Sequence, residues 1–302
     1  MKLSLRNSGR TRTATIAIAS AAAGMAIAVP SLAVATNSSQ SVPAPPANPT
    51  SASQIQNIDQ VKTAIKAYYG DTTTTTPDPV PAGSDVSFPN DSSTQLLHQF
   101  NPDGAYAHET EGLAAHAEKY LAKQAKPHQK HSGTPAILFD IDDTTLNTFS
   151  YEIYSNFVFN PTTNAFFVNA GSAKVFPAVP GMVDLEKKAI AEGYTVFFLT
   201  GRPSAPPASD QTAGTLANLT DAGYVVNPAN VFLKDETQPW ITCDTEGDKV
   251  CSTTERKSQT RAHIENELGY DIVANFGDQF SDLNGGFADR TFKVPNPMYF
   301  LP

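Results

Sequence analysis

The sequence predicts a doubly wound α/β domain of the Rossmann-like kind, built around a parallel sheet. A unit of helix, glycine, tyrosine and apolar strand occurs three times after Pro135, as AEGYTVFFLT, DAGYVVNPANVFL and ELGYDIVANFGD. The strands are apolar nearly throughout, which is typical of parallel strands that helices cover on both faces. Helices and strands that alternate in this way favour a doubly wound sheet.

Each glycine of the repeated unit is expected to end a helix. Gly193, Gly223 and Gly269 stand where a helix C′ residue takes a positive φ, which glycine adopts at little cost. The expected helices are 182–192, 209–222 and 257–268. The expected strands are 136–139, 195–199 and 272–276.

Two helices are expected ahead of the sheet, at 54–69 and 106–125, because apolar residues recur there with helical spacing. The segment 146–180 interrupts the domain and carries eight aromatic residues. It is expected to be a small cap that shapes a substrate pocket, with ordinary packing of the aromatic rings as the alternative.

Residues 1–35 have the pattern of a secretory signal. A basic start precedes an alanine-rich apolar run, and Ala33 and Ala35 form an A-x-A cleavage site. Cleavage there predicts an exported protein that begins at Thr36 and is not stably inserted in a membrane. A membrane anchor is less favoured, because the apolar run is short and is broken by Pro30.

The mature chain is expected to be acidic and to begin with a linker. Residues 36–53 are rich in serine, proline and alanine, which predicts a disordered linker ahead of a folded domain at 54–302. The net charge of −9 disfavours nucleic acid as a partner. The sequence leaves the oligomeric state open.

The two cysteines, Cys243 and Cys251, are predicted to form a disulfide, since a close pair in an exported protein usually does. Two independent thiols are the alternative. By the chain-entropy argument, closing so short a loop stabilises the fold by roughly 2–3 kcal/mol. The bridge would close an excursion at 243–251 that lies away from the functional site.

Polar residues follow three of the predicted strands. Asp140 follows the first strand, Thr200 and Gly201 follow the second, and Asp278 follows the third. Because ligands bind beyond the carboxyl ends of the strands in such sheets, these residues are expected to meet in one cleft. This explains why the apolar run AILF leads directly into the carboxylates of DIDD.

The carboxylates predict a bound cation, since clustered negative charges repel one another without one. Oxygen ligands without organised histidine or cysteine favour Mg²⁺, and Ca²⁺ less so. An EF-hand loop does not fit, because its sixth position is Thr145 instead of glycine and its twelfth is Tyr151 instead of glutamate. A purely structural cluster of Asp140, Asp142 and Asp278 is the remaining alternative.

Four motifs in register resemble those of the haloacid dehalogenase (HAD) superfamily over about 140–290. DIDDT resembles its D-x-D-x-T motif, FFLTGR its second motif and GDQFSDL its acidic fourth motif. Lys257, at the expected start of a helix, stands where the lysine of the third motif belongs. NLTDAGY, KSQTR and FKVPNPMY narrow the resemblance to the acid phosphatase branch, which includes plant acid phosphatases, vegetative storage proteins and bacterial class B and class C enzymes.

The resemblance implies a secreted, Mg²⁺-dependent phosphomonoesterase that acts on small-molecule phosphate monoesters. Asp140 would be the nucleophile, and Asp142 would serve first as general acid and then as general base. Asp140 and Asp278 would hold Mg²⁺ together with the backbone carbonyl of Asp142. Asp282 would orient these ligands or bind the metal itself.

The resemblance also implies which groups bind the phosphoryl oxygens. These are Thr200, the amide of Gly201 and Lys257. Lys257 is preferred to Lys234 because of its expected place at a helix start.

Three charged residues near the motifs have no single predicted role. Arg202 is left open. Arg261 either assists Lys257 or pairs with Glu265 on the helix surface. Asp143 is expected to be a solvated neighbour or a cap at the strand end.

Two other functions stay open on the same fold. A noncatalytic storage or binding protein is one, although the chain retains every residue that the motifs require. A phosphotransferase that passes the phosphoryl group to an alcohol is the other. Dehalogenating members lack an acid two residues after the nucleophile, so Asp142 favours phosphoryl transfer over dehalogenation.

Overall fold

The computed structural model describes residues 42, 44–75, 79–80, 96–125, 131–170, 175–204, 210–243 and 250–301. The predicted signal at 1–35 lies outside these residues. Of the predicted linker, 44–53 are exposed and contain a single 3-10 turn, Ala52–Gln54. Among the helices described, none is both long enough and apolar enough to cross a membrane.

The N-terminal part contains helix α1 (Ile58–Tyr69), hairpin strands β1 (Thr72–Thr75) and β2 (Leu96–Gln99), and helix α2 (Ala105–Gln124). Helix α1 begins later than predicted, because the Asn57 side chain caps it by accepting a hydrogen bond from Asp59 N. Ile55 and Ile58, two of the apolar residues with helical spacing in the predicted helix 54–69, are 62% and 66% exposed. The strand β1 was not predicted; it forms because β-branched threonines suit the antiparallel pairing with β2.

Five parallel strands form the central sheet in the order β5-β4-β3-β6-β7, as a doubly wound domain requires. Their bounds are β3 Thr134–Phe139, β4 Thr195–Pro203, β5 Val231–Lys234, β6 Tyr270–Gly277 and β7 Thr291–Lys293. Phe139 pairs with Phe198 on β4 and with Phe276 on β6. The three central strands therefore end at the same level, and the polar residues that follow them lie at one edge of the sheet.

Helices cover both faces of the sheet. Their bounds are α3 Phe149–Tyr154, α4 Pro161–Asn169, α5 Met182–Ala191, α6 Thr212–Asp221, α7 Thr253–Asn266 and α8 Phe280–Leu283. Side chains alternate along β3: Ile137 and Phe139 join the larger core with residues of α2 and α5. Ala136 and Leu138 join the smaller core, which includes Ile264 of α7. This confirms the predicted burial of the strands on both faces.

The three glycines of the repeated unit have the expected backbone. The φ angles of Gly193, Gly223 and Gly269 are 94°, 99° and 77°. The first two follow α5 and α6, and the third follows α7. In each case the chain reverses after a helix and enters the next segment without a Cβ in the left-handed region.

Helix α7 begins four residues before the predicted start at 257. Ser252 accepts a hydrogen bond from Glu255 N, and the Glu255 side chain accepts one from Ser252 N. This capping box satisfies two backbone N–H groups at the start of the helix. Lys257 consequently lies in the second turn of the helix, and its predicted place at the helix start was wrong.

The inserted segment 146–180 contains α3 and α4, and most of its aromatic side chains pack in the core. Phe149, Tyr151, Phe167 and Phe176 are at most 1% exposed. The ring of Phe149 stacks on that of Tyr69 from the N-terminal part, with centroids 4.4 Å apart. The packing alternative therefore holds for these rings.

Cys243 and Cys251 form the predicted disulfide. Thr242, beside the bridge, is held against α7 by two hydrogen bonds with the Gln259 side chain, at 2.6 and 2.9 Å. The chain next to Cys243 is thus attached to the helix that carries Lys257.

Candidate active site

The loop after β3 presents two aspartates by winding tightly at the strand end. Asp140 N donates to Phe276 O at 2.9 Å, so sheet pairing continues through Asp140. The carbonyl of Ile141 then accepts hydrogen bonds from the next turn of the loop, and Asp143 takes a φ of 57°. The turn directs the side chains of Asp140 and Asp142 to different partners.

Asp140 lies in a buried cluster with Asp278 and Asp282. Carboxylate oxygens of the three residues lie within 4.8 Å of one another. Lys257 Nζ donates to Asp140 Oδ1 at 2.5 Å and to Asp282 Oδ1 at 2.6 Å. Four of the residues predicted for the site are therefore brought together from β3, β6 and two helices.

Each acid of the fourth motif is held by neighbouring groups. Asp278 Oδ2 accepts from the side chains of Gln279 at 2.6 Å and Asn296 at 2.7 Å. Asp282 Oδ2 accepts from Gln279 N at 2.8 Å. A Cβ at Gly277 would lie 2.4 Å from the Asp282 Cβ, so glycine is required for this close approach.

Lys257 is the lysine that reaches the carboxylates, although it does so from the second turn of α7. Lys234 instead pairs with Glu236 at 3.3 Å at the end of β5, where its side chain is 42% exposed. This geometry agrees with the preference for Lys257 over Lys234. The preference rested on an expected position at a helix start, however, and Lys257 does not lie there.

The carboxylate of Asp142 is not among the three clustered ligands and binds Arg202. The Arg202 Nη2 donates to Asp142 Oδ1 at 2.6 Å, and Nε donates to both carboxylate oxygens at 3.0 and 3.1 Å. Asp142 thus contributes no carboxylate oxygen to the cluster, which leaves its backbone carbonyl as its predicted metal ligand.

Thr200 and Gly201 lie on β4, beside this ion pair. Thr200 is buried, and its Oγ1 accepts from Arg202 N at 3.1 Å. Gly201 is exposed, and a Cβ added to it would meet no atom within 4 Å among the described residues. The end of β4 therefore has open space beside the Cα of Gly201.

Arg261 takes neither of its two predicted roles. It is completely buried, and it donates to the backbone carbonyls of Asp282 at 2.7 Å, Gly286 at 2.8 Å and Asn284. It therefore holds the segment around α8, which carries Asp282, instead of forming a surface pair with Glu265.

Asp143 is completely buried, so its prediction as a solvated neighbour was wrong. Its carboxylate accepts from Thr148 N at 2.9 Å, from Thr148 Oγ1 at 2.5 Å and from the hydroxyl of Tyr299 at 2.9 Å. Burial raises its pKa to about 7. Asp143 ties the loop after β3 to the start of α3 and to the C-terminal segment.

The buried cluster contains more negative than positive charge. Burial raises the pKa of Asp140 well above the usual range of an aspartate, and Asp282 and Asp278 add to the effect against the opposing ammonium of Lys257. Burial, with Asp282 next, raises the pKa of Asp278 to about 7. Burial alone would lower the pKa of Lys257. The attraction of Asp140 and Asp282 for the ammonium is larger than this effect, so the pKa of Lys257 is raised.

The cluster fits a hard divalent cation. Its donor atoms are carboxylate oxygens, and Lys257 is the one cation that forms ion pairs with these acids in the described part of the chain, so the acids outnumber the cation bound to them. Oxygen donors with excess negative charge suit Mg²⁺ better than softer metals.

The C-terminal segment contributes two residues that the sequence analysis did not place in the site. Asn296 binds Asp278, and Tyr299 binds Asp143. Both belong to VPNPMYF, which contributed to the family resemblance without an assigned role. The polar side chain between two prolines, in an otherwise apolar run, was the available signal.

The chain is similar to a described protein family and to individual proteins of plants. The family described as HAD superfamily, subfamily IIIB (Acid phosphatase), matches residues 91–302. The Stem 28 kDa glycoprotein of Glycine max is 34% identical over 187 residues, covering 60% of this chain and 65% of the relative. Acid phosphatase 1 of Solanum lycopersicum is 30% identical over 173 residues, covering 56% and 60%.

This chain therefore spans less than two thirds of the length of these relatives. Among solved structures, the class C acid phosphatase from Bacillus anthracis aligns with a TM-score of 0.47 and 20% identity, covering 64% of this chain and 80% of that one. The family match extends over more than half of the sequence and includes all four motifs. The chain belongs to subfamily IIIB, the acid phosphatases, of the HAD superfamily.

Proposed function

We propose that this protein is a secreted, Mg²⁺-dependent phosphomonoesterase that forms an aspartyl-phosphate on Asp140. The observation that carries the proposal is the separation of two aspartates that are two residues apart. Asp140 lies in the buried cluster with Lys257, whereas Asp142 lies outside it with 28% of its side chain exposed. One can serve as nucleophile and the other as a proton carrier.

In the first step, a carboxylate oxygen of Asp140 attacks the phosphorus of the ester. The new bond joins that oxygen to phosphorus while the bond between phosphorus and the ester oxygen breaks. The leaving oxygen takes a proton from Asp142, which becomes a carboxylate, and the product alcohol departs.

In the second step, water hydrolyses the aspartyl-phosphate. Asp142, now ionised, takes a proton from the water as its oxygen attacks phosphorus. The bond between phosphorus and Asp140 breaks, inorganic phosphate leaves, and both aspartates return to their initial states. The partial exposure of Asp142 is compatible with access by water.

Asp140 and Asp278, together with the backbone carbonyl of Asp142, would hold Mg²⁺, and Asp282 would orient them or bind directly. When bound, the metal would offset the repulsion between the carboxylate nucleophile and the anionic phosphate. Thr200, the amide of Gly201 and the Lys257 ammonium would bind the phosphoryl oxygens as charge shifts during transfer.

The proposed substrate class is small-molecule phosphate monoesters, and the proposed location is outside the cell. Export is supported by the signal-like pattern of residues 1–35. The disulfide between Cys243 and Cys251 also fits an oxidising compartment. The mature protein is expected to begin at or near Thr36, which N-terminal sequencing of the exported protein would check.

The first test is phosphate release from p-nitrophenyl phosphate by the mature protein, with Mg²⁺ and with EDTA. Turnover that EDTA abolishes and Mg²⁺ restores supports the proposal. A folded protein without turnover on any of a panel of phosphate monoesters would instead favour a noncatalytic storage or binding role.

A second measurement distinguishes hydrolysis from phosphotransfer. With a polyol present as acceptor, a phosphatase releases phosphate as the main product, whereas a phosphotransferase forms the polyol phosphate. Product analysis by phosphorus NMR separates the two.

A further inference from the structure

We propose that Arg202 is a positioning residue that holds the carboxylate of Asp142 in the orientation from which it protonates the leaving group. This inference rests on the proposed function, because it concerns the aspartate that serves as general acid there. It assigns a role to an arginine that the sequence motifs leave open.

The contact between the two side chains is bidentate. Nε of Arg202 lies 3.1 and 3.0 Å from Asp142 Oδ1 and Oδ2, and Nη2 lies 2.6 Å from Oδ1. The planar fork of a guanidinium fixes the plane of a carboxylate as well as its position, which the point charge of a lysine does not. Within the described part of the chain, Arg202 makes all the side-chain hydrogen bonds of Asp142.

The far side of the guanidinium is anchored in the protein. Nη1 donates to Thr215 Oγ1 at 3.3 Å and to Asn218 Oδ1 at 3.2 Å, both on α6. The guanidinium carbon also lies 5.5 Å from the centre of the buried Phe176 ring. Arg202 therefore connects α6, the inserted segment and Asp142.

Burial of the pair is asymmetric, which indicates which partner holds the other. The side chain of Arg202 is 2% exposed and that of Asp142 is 28% exposed. The arginine is fixed from behind by Thr215, Asn218 and Phe176, while the aspartate presents its open side to solvent. Such an arrangement orients a reactive carboxylate without blocking it.

Direct binding of the substrate phosphate by Arg202 fits this geometry less well. Asp142, Thr215 and Asn218 take four of the five N–H groups of the guanidinium, which leaves at most one N–H, on Nη2, for a phosphoryl oxygen. A bidentate contact with phosphate would displace Asp142 or the partners on α6 and break charge-assisted or buried hydrogen bonds, which are costly to leave unmade. Lys257, Thr200 and the Gly201 amide are already available for the phosphoryl group.

The two roles predict different kinetics. General acid catalysis contributes most when the leaving group is a poor one, because a stable leaving anion departs without a proton. Loss of phosphate binding, in contrast, weakens catalysis for every ester. Leaving-group dependence therefore separates a positioning role from a binding role or from a purely structural one.

The test is to measure kcat/KM, which depends on the first step and not on hydrolysis of the aspartyl-phosphate, for the wild type, Arg202→Lys and Asp142→Asn on p-nitrophenyl phosphate and on glycerol phosphate. For Arg202→Lys we expect kcat/KM on glycerol phosphate to fall roughly 100-fold and kcat/KM on the aryl ester to fall only about threefold. Asp142→Asn should show the same difference between the two esters, with larger losses. Lys234→Ala, which removes an exposed cation, should leave both esters unchanged.

Equal losses of kcat/KM on both esters would overturn the positioning role. If Arg202→Lys does not fold, Asn218→Ala replaces it: this variant loosens the guanidinium from behind and should show the same leaving-group split at smaller size. Thermal unfolding of each variant reports whether it folds. A folded wild type that hydrolyses neither these two esters nor any other of the panel would refute the proposed function itself, which distinguishes that failure from a uniform loss in an active enzyme.

Discussion

Strands β3 and β6 have an acidic cluster near each end, and the two clusters differ in how their charges are compensated. Near the amino end, Asp271 accepts hydrogen bonds from His131 at 2.9 Å and from Ser132 at 2.6 Å, with exposed Asp289 nearby. The second nitrogen of His131 lies 3.3 Å from the carbonyl of Gln124. At the carboxyl end, Asp140 shares the single ammonium of Lys257 with a second acid and has a third beside it.

The comparison shows that the proximity of metal-ligating atoms does not by itself distinguish a reactive site. Both clusters bring three candidate ligands within 4.8 Å. The amino-end cluster has partners for its buried acid and an exposed third member, so it connects α2 to the sheet. The carboxyl-end cluster is buried with excess negative charge, which favours a cation and an anionic substrate bound through that cation.

Substituting one aspartate in each cluster should give the largest difference. Asp140→Asn is expected to reduce kcat on p-nitrophenyl phosphate by at least roughly 10³-fold, because an amide cannot serve as the nucleophile. Asp271→Asn, at the other end of the sheet, should change kcat less than about threefold, since distant sites act independently.

Circular dichroism of both variants checks that they fold. Comparable losses of activity in two folded variants would contradict the functional distinction between the two ends.

A buried glutamate near the carboxyl end should make stability depend on pH. Burial, with Asp143 and Asp142 next, raises the pKa of Glu152 to about 8. The unfolded chain ionises this group near its ordinary pKa, so between about pH 4.5 and 8 the folded state holds the additional proton and stability falls as pH rises. Glu152→Gln removes this dependence. As pH rises from 4.5 to 8, the free energy of unfolding of the variant should therefore increase by roughly 3–5 kcal/mol relative to that of the wild type.

Glu265→Gln is the matched control near the amino end. Burial raises the pKa of Glu265 to about 7, but its carboxylate accepts a hydrogen bond from Ile272 N and is less buried. Its effect should have the same sign and be smaller. Urea unfolding at both pH values measures the difference, and an equal or larger effect for Glu265→Gln would count against the comparison.

Metal binding should stabilise the protein through the carboxyl-end cluster alone. At a free Mg²⁺ concentration 100 times the dissociation constant, linkage predicts a gain of about 2.7 kcal/mol in the free energy of unfolding. Thermal unfolding with Mg²⁺ and with EDTA measures this gain. Asp278→Asn should lose the response and Asp271→Asn should keep it; the reverse pattern would place the metal at the amino end.

The smallest expected effect lies in the amino-end cluster. Ser132→Ala removes one hydrogen bond to buried Asp271 and should cost about 1 kcal/mol of stability, while kcat stays the same. Urea unfolding and the phosphatase assay together measure both quantities. A fall in kcat without loss of stability would show that this end takes part in catalysis after all.

The motif residues could be predicted because their signals are local. Three patterns each predict the edge of a parallel sheet: an apolar strand followed by DIDDT, an apolar strand followed by Thr200, and an apolar strand followed by Gly277 and Asp278. The helices that end at Gly193, Gly223 and Gly269 follow from the conformational freedom of glycine. Helix starts were less reliable, as α1 and α7 show, because capping by Asn57 and Ser252 decides them.

The roles of Arg202, Arg261 and Asp143 could not be read from local sequence. Each role depends on partners distant along the chain: Arg202 lies against Asn218 and Asp142, and Asp143 against Tyr299. A charged side chain has the same local pattern whether it is solvated or buried, since burial depends on which segments pack over it.

The sequence by itself determined the fold class, the family and the set of acids at the strand ends, because periodicity and motif spacing are properties of neighbouring residues. Only the tertiary structure decided which acids share a cation and which acid an arginine holds apart. It also placed Lys257 between Asp140 and Asp282 from the second turn of α7. These outcomes depend on burial and on distances of a few ångströms between distant segments, and such distances are set only when the chain packs.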